Sequence, residues 1–332
     1  MANVSWWQRA YTVFKLRVIA ARLGMPVDEL KEALYRVHPL LDEPSVSLCF
    51  RNLGGKNNLG MFLHLGRSGK PLAISKLMDR SMAQREYRLL QWQSSADAAD
   101  IAPAVVDCRE LSEDVSVLTT RFAETPVPFE VEYMLRLHQQ LGSFQAPANT
   151  DWSGVNRELQ PTTPIKALLC GFVTETDQTR MAQFLDKYLS QQLSYGEREA
   201  IRPSIEPAMT WLVAYWPTLQ TAPHWGLVHG DFKRQNILQD GHSGTYLGID
   251  LEYYCHGLRV WDLAFFYSRG NYTVADMLQH TGYSGELANV LVCCYLIASL
   301  SHYKKKRDPQ QLATRIEPAA DWLQQAFSNT TA

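Results

Sequence analysis

The sequence has few of the features that would staple a small fold or carry it to a charged partner. Its six cysteines, Cys49, Cys108, Cys170, Cys255, Cys293 and Cys294, form no Cys-x-x-Cys pair and join no His/Cys cluster at zinc spacing. That pattern fits reduced, mostly buried thiols better than a disulfide framework or a structural metal site. Charge of one sign is not in excess either. With 32 basic and 34 acidic residues the formal net charge is −2, so no global field argues for nucleic acid. No apolar run reaches the roughly 20 residues of a membrane span. The apolar stretches of residues 1–24 are interrupted by Arg9, Lys15, Arg17 and Arg22, which also argues against a secretory segment. A cytoplasmic protein without an integral membrane segment is therefore expected. Neither a G-x-G-x-x-G nor a P-loop consensus occurs, and there is no internal repeat or low-complexity linker.

What is present suits a sizeable core. The chain has 332 residues, 46% of them apolar, enough for one large or two fused globular units. Residues 5–40 read as helical, with Phe14, Arg17, Val18 and Ala21 at helical spacing and a second segment from Val27 to Val37 after Gly24 and Pro26. The expectation is an accessory helix packed on the main body; Trp6 and Trp7 beside basic residues also fit a membrane-surface helix.

From Ser45 the period shortens. Ser45–Leu53, Gly60–Gly66 and Pro71–Leu77 read as three strands of an antiparallel meander joined by tight turns. A helix follows, with Ser81 and Gln84 in a capping-box pattern. Ala104–Cys108 and Val115–Thr120 complete a five-stranded sheet. After Pro126 and Pro128 the pattern is mostly helical, with candidates near 129–142, 163–170, 178–192, 196–219 and 284–302, and a β-rich stretch around 226–252. The predicted architecture is α+β: a helical extension over 1–44, a small sheet-bearing lobe over 45–124, and a larger, mostly helical lobe over 125–332.

Two charges stand out in the sheet lobe. Leu72, Ile74 and Lys76 share one face of their strand, so Lys76 is a cation on an otherwise apolar surface. Met82, Glu86, Leu89 and Leu90 share a helical stripe, which makes Glu86 the lone charge on a buried face. Pairing Lys76 with Glu86 resolves both anomalies. In the helical lobe, His229-Gly230-Asp231-Phe232-Lys233-Arg234-Gln235-Asn236 places an Asp and an Asn five residues apart. A short apolar run, Tyr246–Ile249, then delivers Asp250 to the same end of a hairpin. An acidic residue ending a buried strand needs a cation, and Mg2+ takes oxygen ligands of this kind.

Three linked motifs carry a resemblance: His-Gly-Asp-x4-Asn, then Ile249-Asp250-Leu251-Glu252-Tyr253, then Trp261-Asp262-Leu263-Ala264. Together they resemble the aminoglycoside phosphotransferase and choline kinase superfamily, with a protein-kinase-like two-lobed fold, and are most similar to its choline/ethanolamine kinase-like branch. The resemblance implies an ATP- and Mg2+-dependent transfer of phosphate to a hydroxyl of a small molecule, with Asp231 as catalytic base and Asn236 and Asp250 as metal ligands. His229 and Asp262 are then supports of the loop. It also implies that Lys76 and Glu86 hold the nucleotide phosphates.

The turn bearing Gly54, Gly55 and Lys56 lies where a phosphate-covering loop would sit, and Arg121, Phe122 and Ala123 occupy the lobe connection, where backbone groups would meet an adenine. Only a dozen residues separate Asp250 from Trp261-Asp262, and neither Asp-Phe-Gly nor Ala-Pro-Glu is present, which favours a small acceptor over a protein. A cationic amino alcohol such as choline or ethanolamine among Glu252, Tyr253, Tyr254 and Trp261 is one candidate; an aminoglycoside, a sugar or a vitamin alcohol are others. The competing readings are a pseudokinase, meaning a nucleotide-binding scaffold without turnover, and an atypical protein kinase.

Overall fold

The computed structural model describes residues 5–41, 43, 46–51, 58–95, 100–159, 194–219, 224–241, 243–306 and 312–328, together with positions 183, 186, 187 and 190. The expected helix at 163–170 lies outside the described residues, and the one at 178–192 is described only at those four positions. The chain forms two compact units, one of Met1–Pro126 with Leu238–Glu252, the other of Val127–Ile237 with Tyr253–Ala332.

The first unit opens with α1 (Trp6–Leu23) and α2 (Val27–Tyr35). Ser5 and Gln8 form a capping box at the start of α1, and Gly24 ends it at φ 66°, a left-handed cap that glycine adopts without strain. The sheet comprises β1 (Ser47–Arg51), β2 (Asn58–Leu65), β3 (Pro71–Asp79), β4 (Val105–Glu110) and β5 (Val115–Arg121). Its order is β1-β2-β3-β5-β4, and every neighbouring pair is antiparallel.

One sheet face carries Leu48, Phe62, Leu77 and Val117, which pack against Leu16, Ile19 and Ala20 of α1 and Leu30 and Leu34 of α2. The stripe read from the sequence, Phe14 and Val18, points the other way: both are exposed, and Thr12, Leu16, Ile19 and Ala20 are buried instead. α1 approaches β2 closely at Gly60, where an added Cβ would come within 2.8 Å of Ile19 Cδ1 and push that side chain aside. The same face holds a buried polar chain. His38 Nε2 lies 3.1 Å from His64 Nδ1, His64 Nε2 2.7 Å from Ser75 Oγ, and Ser75 Oγ 2.6 Å from Thr119 Oγ1. Burial pushes His64 down to about 3, so it stays neutral within the chain.

On β3 the alternation that sends Leu77 to the α1 face sends Lys76 to the other. There α3 (Arg80–Ser95) follows directly. Its cap is not Ser81: Asp79 Oδ1 accepts hydrogen bonds from Ser81 N (2.9 Å), Ser81 Oγ (2.5 Å) and Met82 N (3.2 Å). A carboxylate at the N-cap gains from the helix dipole as well as from the amides, which a hydroxyl two residues later does not match. Gln84 turns instead to Glu110 Oε1, 3.0 Å away. The unit is completed by a small hairpin, β7 (Ile237–Gln239) paired with β8 (Tyr246–Gly248). It is tied to the strand layer by reciprocal bonds between Glu124 and Gln239 (2.8 and 2.7 Å) and by Gly248 N to Ile101 O (2.7 Å).

The second unit is mostly helical: α4 (Val131–Ser143), α5 (Trp152–Glu158), α6 (Tyr195–Leu219), α7 (Val260–Arg269), α8 (Val274–Thr281), α9 (Gly285–Lys306) and α10 (Glu317–Ser328). Its core is the wholly buried run Val290–Ala298 of α9 and nearly all of α7. A two-stranded ribbon pairs β6 (Trp225–Val228) with β9 (Cys255–Leu258). His138 of α4 is buried and donates from Nε2 to Arg259 O at 3.1 Å; burial lowers its pKa to about 4, so the ring stays neutral.

Candidate active site

In the first unit, the backbone brings three charged side chains together. Lys76 Nζ lies 3.2 Å from Glu86 Oε1 and 2.7 Å from Asp250 Oδ1. β3 supplies the lysine, α3 the glutamate, and the hairpin, held by Glu124 and Ile101, carries the aspartate to them. Lys76 and Glu86 are almost completely buried, whereas the Asp250 side chain is 34% exposed. Burial by itself would lower the Lys76 pKa; the Glu86 and Asp250 charges outweigh it and raise the value. Burial raises Glu86, opposed chiefly by Lys76 and also by a backbone hydrogen bond from Leu251. Two carboxylates thus share one ammonium, Glu86 buried and Asp250 partly exposed. Asp250 has φ 57°, the left-handed region.

In the second unit, the loop after β6 is organised around Asp262 on α7. Its Oδ2 accepts from His229 N at 2.7 Å and its Oδ1 from Gly230 N at 3.1 Å. Asp262 therefore braces the loop, and it does not cap α7: it is the third residue of that helix, behind Arg259, whose side chain makes no capping bond. Burial pushes its carboxyl up to about 7, against the two amide bonds, which favour the anion. Gly230 is required twice over. Its φ is 82°, and a Cβ there would stand 2.4 Å from Tyr253 O. His229 is fully buried, and its Nδ1 accepts from Asp231 N at 3.3 Å, which holds the turn into Asp231.

Asp231 keeps its carboxylate within this loop. Asn236 Nδ2 donates to Asp231 O (3.0 Å) and to Asp231 Oδ2 (3.2 Å). A carbonyl and a carboxylate only accept, so the Asn236 nitrogen must face them and its amide oxygen is turned away. Lys233 Nζ lies 2.5 Å from Asp231 Oδ2. Sequence reasoning missed this lysine as a partner; the available signal was a cation two residues after the aspartate in a loop too short to separate them.

Asn236 in the second unit offers an amide oxygen and Asp250 in the first a carboxylate oxygen, each a ligand type of Mg2+. Among the described residues no group of three or more His, Cys, Asp or Glu side chains forms a metal cluster.

Several expected residues stand elsewhere. Gly54, Gly55 and Lys56 lie outside the described residues. The Arg121 guanidinium donates to Leu40 O at 3.2 Å, and Phe122 N to Leu72 O at 3.0 Å; Ala123 is buried. Glu252 is buried, Tyr253 half-buried, and Tyr254 and Trp261 are packed in the core with almost no exposed surface. Tyr254 and Trp261 therefore present no open ring face to an acceptor.

Comparison with solved structures shows the fold. The aminoglycoside phosphotransferase APH(4)-Ia matches with 17% identity over 91% of this chain and 99% of its own, at a TM-score of 0.53. The GDP and kanamycin complex of the aminoglycoside phosphotransferase APH(2")-IIIa matches with 13% identity over 90% and 98%, at 0.50. The GDP complex of wild-type aminoglycoside 2'-phosphotransferase-IIIa matches with 14% identity over 91% and 98%, also at 0.50. The chain thus has the kinase-like two-lobed α+β fold, with a five-stranded antiparallel sheet in one lobe and a mostly helical second lobe. No curated protein matches the sequence. The phosphotransferase enzyme family (APH), however, matches residues 79–286, a segment that holds Glu86, Asp231, Asn236, Asp250 and Asp262, and the chain belongs to that family.

Proposed function

We propose that the protein is an ATP-dependent kinase of a small-molecule hydroxyl, with Asp231 as the base. The observation that carries this reading is the Asp231 loop: a carboxylate oriented by Asn236 and Lys233, in a turn whose amides are anchored on buried Asp262. Such a group serves to position an acceptor hydroxyl and to take its proton as the bond to phosphorus forms. Lys76, held by Glu86, presents an ammonium to the nucleotide phosphates. Asn236 and Asp250 would hold Mg2+, which when bound neutralises phosphate charge. Catalysis of this kind is mostly positioning and charge compensation.

In this reading residues 45–124 form the nucleotide-binding lobe, 125–332 the catalytic and acceptor-binding lobe, and 1–44 a helical extension. The Gly54–Lys56 turn and the backbone of Arg121–Ala123 are assigned to phosphate and adenine. The acceptor is a hydroxyl compound of the aminoglycoside, sugar or amino-alcohol class. The choline/ethanolamine kinase-like branch is supported by the Asp250-Leu251-Glu252-Tyr253 and Trp261-Asp262-Leu263-Ala264 motifs. In that case Glu252 and half-buried Tyr253 are the acceptor contacts. A cytoplasmic location agrees with the absence of disulfides among the described cysteines and of any helix, among the described residues, long and apolar enough to cross a membrane.

The test is ADP release from the purified protein with Mg-ATP against aminoglycosides, amino alcohols, sugars and vitamins, with Asp231→Asn alongside. Acceptor-dependent turnover is expected, falling on the order of a hundredfold or more in the variant while nucleotide affinity is retained. ATP binding with no turnover on any acceptor would turn the assignment to a nucleotide-binding scaffold, and near-normal turnover in the variant would remove Asp231 from the chemistry.

A further inference from the structure

Helix α1 has two apolar faces, and the sheet uses one of them. Thr12, Leu16, Ile19 and Ala20 are buried. On the opposite side, Trp7, Tyr11, Phe14 and Val18 follow at i, i+4, i+7 and i+11, a single stripe along the helix. All four are exposed, Trp7 at 75% and Phe14 at 56%. Trp6 stands beside the stripe at its N-terminal end, 69% exposed and edge-on to Trp7 at 4.6 Å. Exposed hydrophobes scattered singly need no explanation, but a contiguous aromatic stripe marks a surface that meets something.

Charge identifies the occupant. α1 carries Arg9, Lys15, Arg17 and Arg22, four of the chain's 32 basic residues and none of its 34 acidic ones. At 3.6 residues per turn, Lys15 and Arg22 fall along one flank of the stripe and Arg17 along the other, while Arg9 stands on the far side of the helix. The neighbouring α2 offsets only one of these charges: Asp28 pairs with Lys31 at 3.0 Å and Glu32 with Arg36 at 2.9 Å, which leaves Glu29 as its excess acid. An aromatic line edged by cations is the pattern of a helix lying in the plane of an acidic bilayer, rings at the headgroup boundary and cations on the phosphates. A second copy of the chain fits less well, because a two-fold contact through this face would set the same cations against each other.

We infer that the outer face of α1 docks the protein on an anionic lipid bilayer. This goes beyond the kinase assignment and does not rest on it. The docking is peripheral: one stripe enters the interface, while the opposite stripe stays packed on the sheet.

The experiment is co-sedimentation of the full chain with vesicles of phosphatidylcholine alone and with about 30% phosphatidylserine. Each basic residue near an acidic surface contributes about fivefold in partitioning. Binding to the acidic vesicles is expected to exceed binding to the neutral ones by tenfold or more, and to weaken as salt shortens the Debye length. Trp7→Ser with Phe14→Ser, and separately Arg17→Glu with Arg22→Glu, should each reduce partitioning tenfold or more. These side chains are exposed, so the melting temperature should not change. Equal binding to both vesicles, or binding retained by both variants, overturns the inference. So does a dimer in vesicle-free solution that the Trp7→Ser, Phe14→Ser chain no longer forms. A readout that needs no variant is tryptophan fluorescence with brominated acyl chains: quenching on acidic vesicles is expected, and unaltered emission sinks the proposal.

Discussion

The two units each hold a lysine against an aspartate, and the two pairs are built differently. In the first, Lys76 is 4% exposed and shared between Glu86 and Asp250. Its partners come from α3 and from a hairpin far away in sequence, so the whole unit must be in place to assemble it. In the second, Lys233 is 36% exposed and reaches a carboxylate only two residues away, so the loop makes that contact alone. An ammonium surrounded by carboxylates in a dry setting is a fixed part of the fold. One at the edge of solvent, on a flexible stem, is worth little in stability and is free to change partner. The same two residue types therefore yield a clamp in one unit and an adjustable contact in the other.

The largest test of that contrast is Lys76→Met. It strips the cation from two carboxylates, one of them buried, and should lower stability by about 3–5 kcal/mol in denaturant unfolding; a loss as small as that of a surface pair would erase the distinction. Next come two buried groups with opposite pH signs. His64 in the first unit is held near 3 by burial, below its ordinary 6.5, so the unfolded chain binds the extra proton and stability falls as pH drops below about 6.5. At pH 5 the cost from this one group is about 2 kcal/mol. Asp262 in the second unit is pushed up to about 7 from an ordinary 3.8, so the folded chain holds the extra proton and stability falls as pH rises from about 4 towards 7. Unfolding free energies of His64→Gln and Asp262→Asn, subtracted from those of the wild type across pH 4–7.5, should slope in opposite directions, and parallel slopes would contradict one of the two environments.

Smaller effects separate local contributions. Asp79→Ala should cost about 1 kcal/mol through the lost cap of α3, and Ser81→Ala only a few tenths; the reverse order in thermal melts would restore Ser81 as the cap. The smallest effect is expected at Lys233→Met. Stability should change by less than about 1 kcal/mol, even where turnover falls, and a loss comparable to that of Lys76→Met would make the two lysines equivalent after all.

How much of this was legible beforehand follows the same division between local and distant causes. Strand alternation located the five strands, because a half-buried sheet imposes a period of two. Lys76 and Glu86 were visible as lone charges on apolar faces, since burial leaves such residues few partners. The Asp231–Asn236 spacing was readable because the loop is continuous in sequence. Other features were hidden. α1 is apolar on both sides, so its periodicity fits either stripe, and Phe14 and Val18 drew attention while Leu16 and Ile19 made the core. The cap of α3 went to Ser81 because Asp79 also ends a strand, and nothing local says that it does both. Cys255–Leu258 forms β9 only by pairing with β6, a contact nearly 30 residues away in sequence. The partners through which Asp262 supports the loop, the amides of His229 and Gly230, are 33 and 32 residues distant, so only the family resemblance, and no local pattern, pointed to that role.

The positive φ of Asp250 narrows what evolution can place at that position. A left-handed backbone is tolerated by glycine, asparagine and aspartate and strains nearly every other side chain. In the proposed Mg2+ site, where Asn236 brings only a neutral amide oxygen, the charge that offsets the cation falls to a carboxylate at position 250. Aspartate alone satisfies both demands, and glutamate, the other acid, fails on the backbone. Alanine is consequently a poor probe of residue 250, because it removes the charge and strains the hairpin at once. Asparagine keeps the turn and removes only the charge, so a loss of Mg2+-dependent nucleotide affinity in Asp250→Asn with an unchanged melting temperature would isolate the electrostatic role of a single oxygen pair.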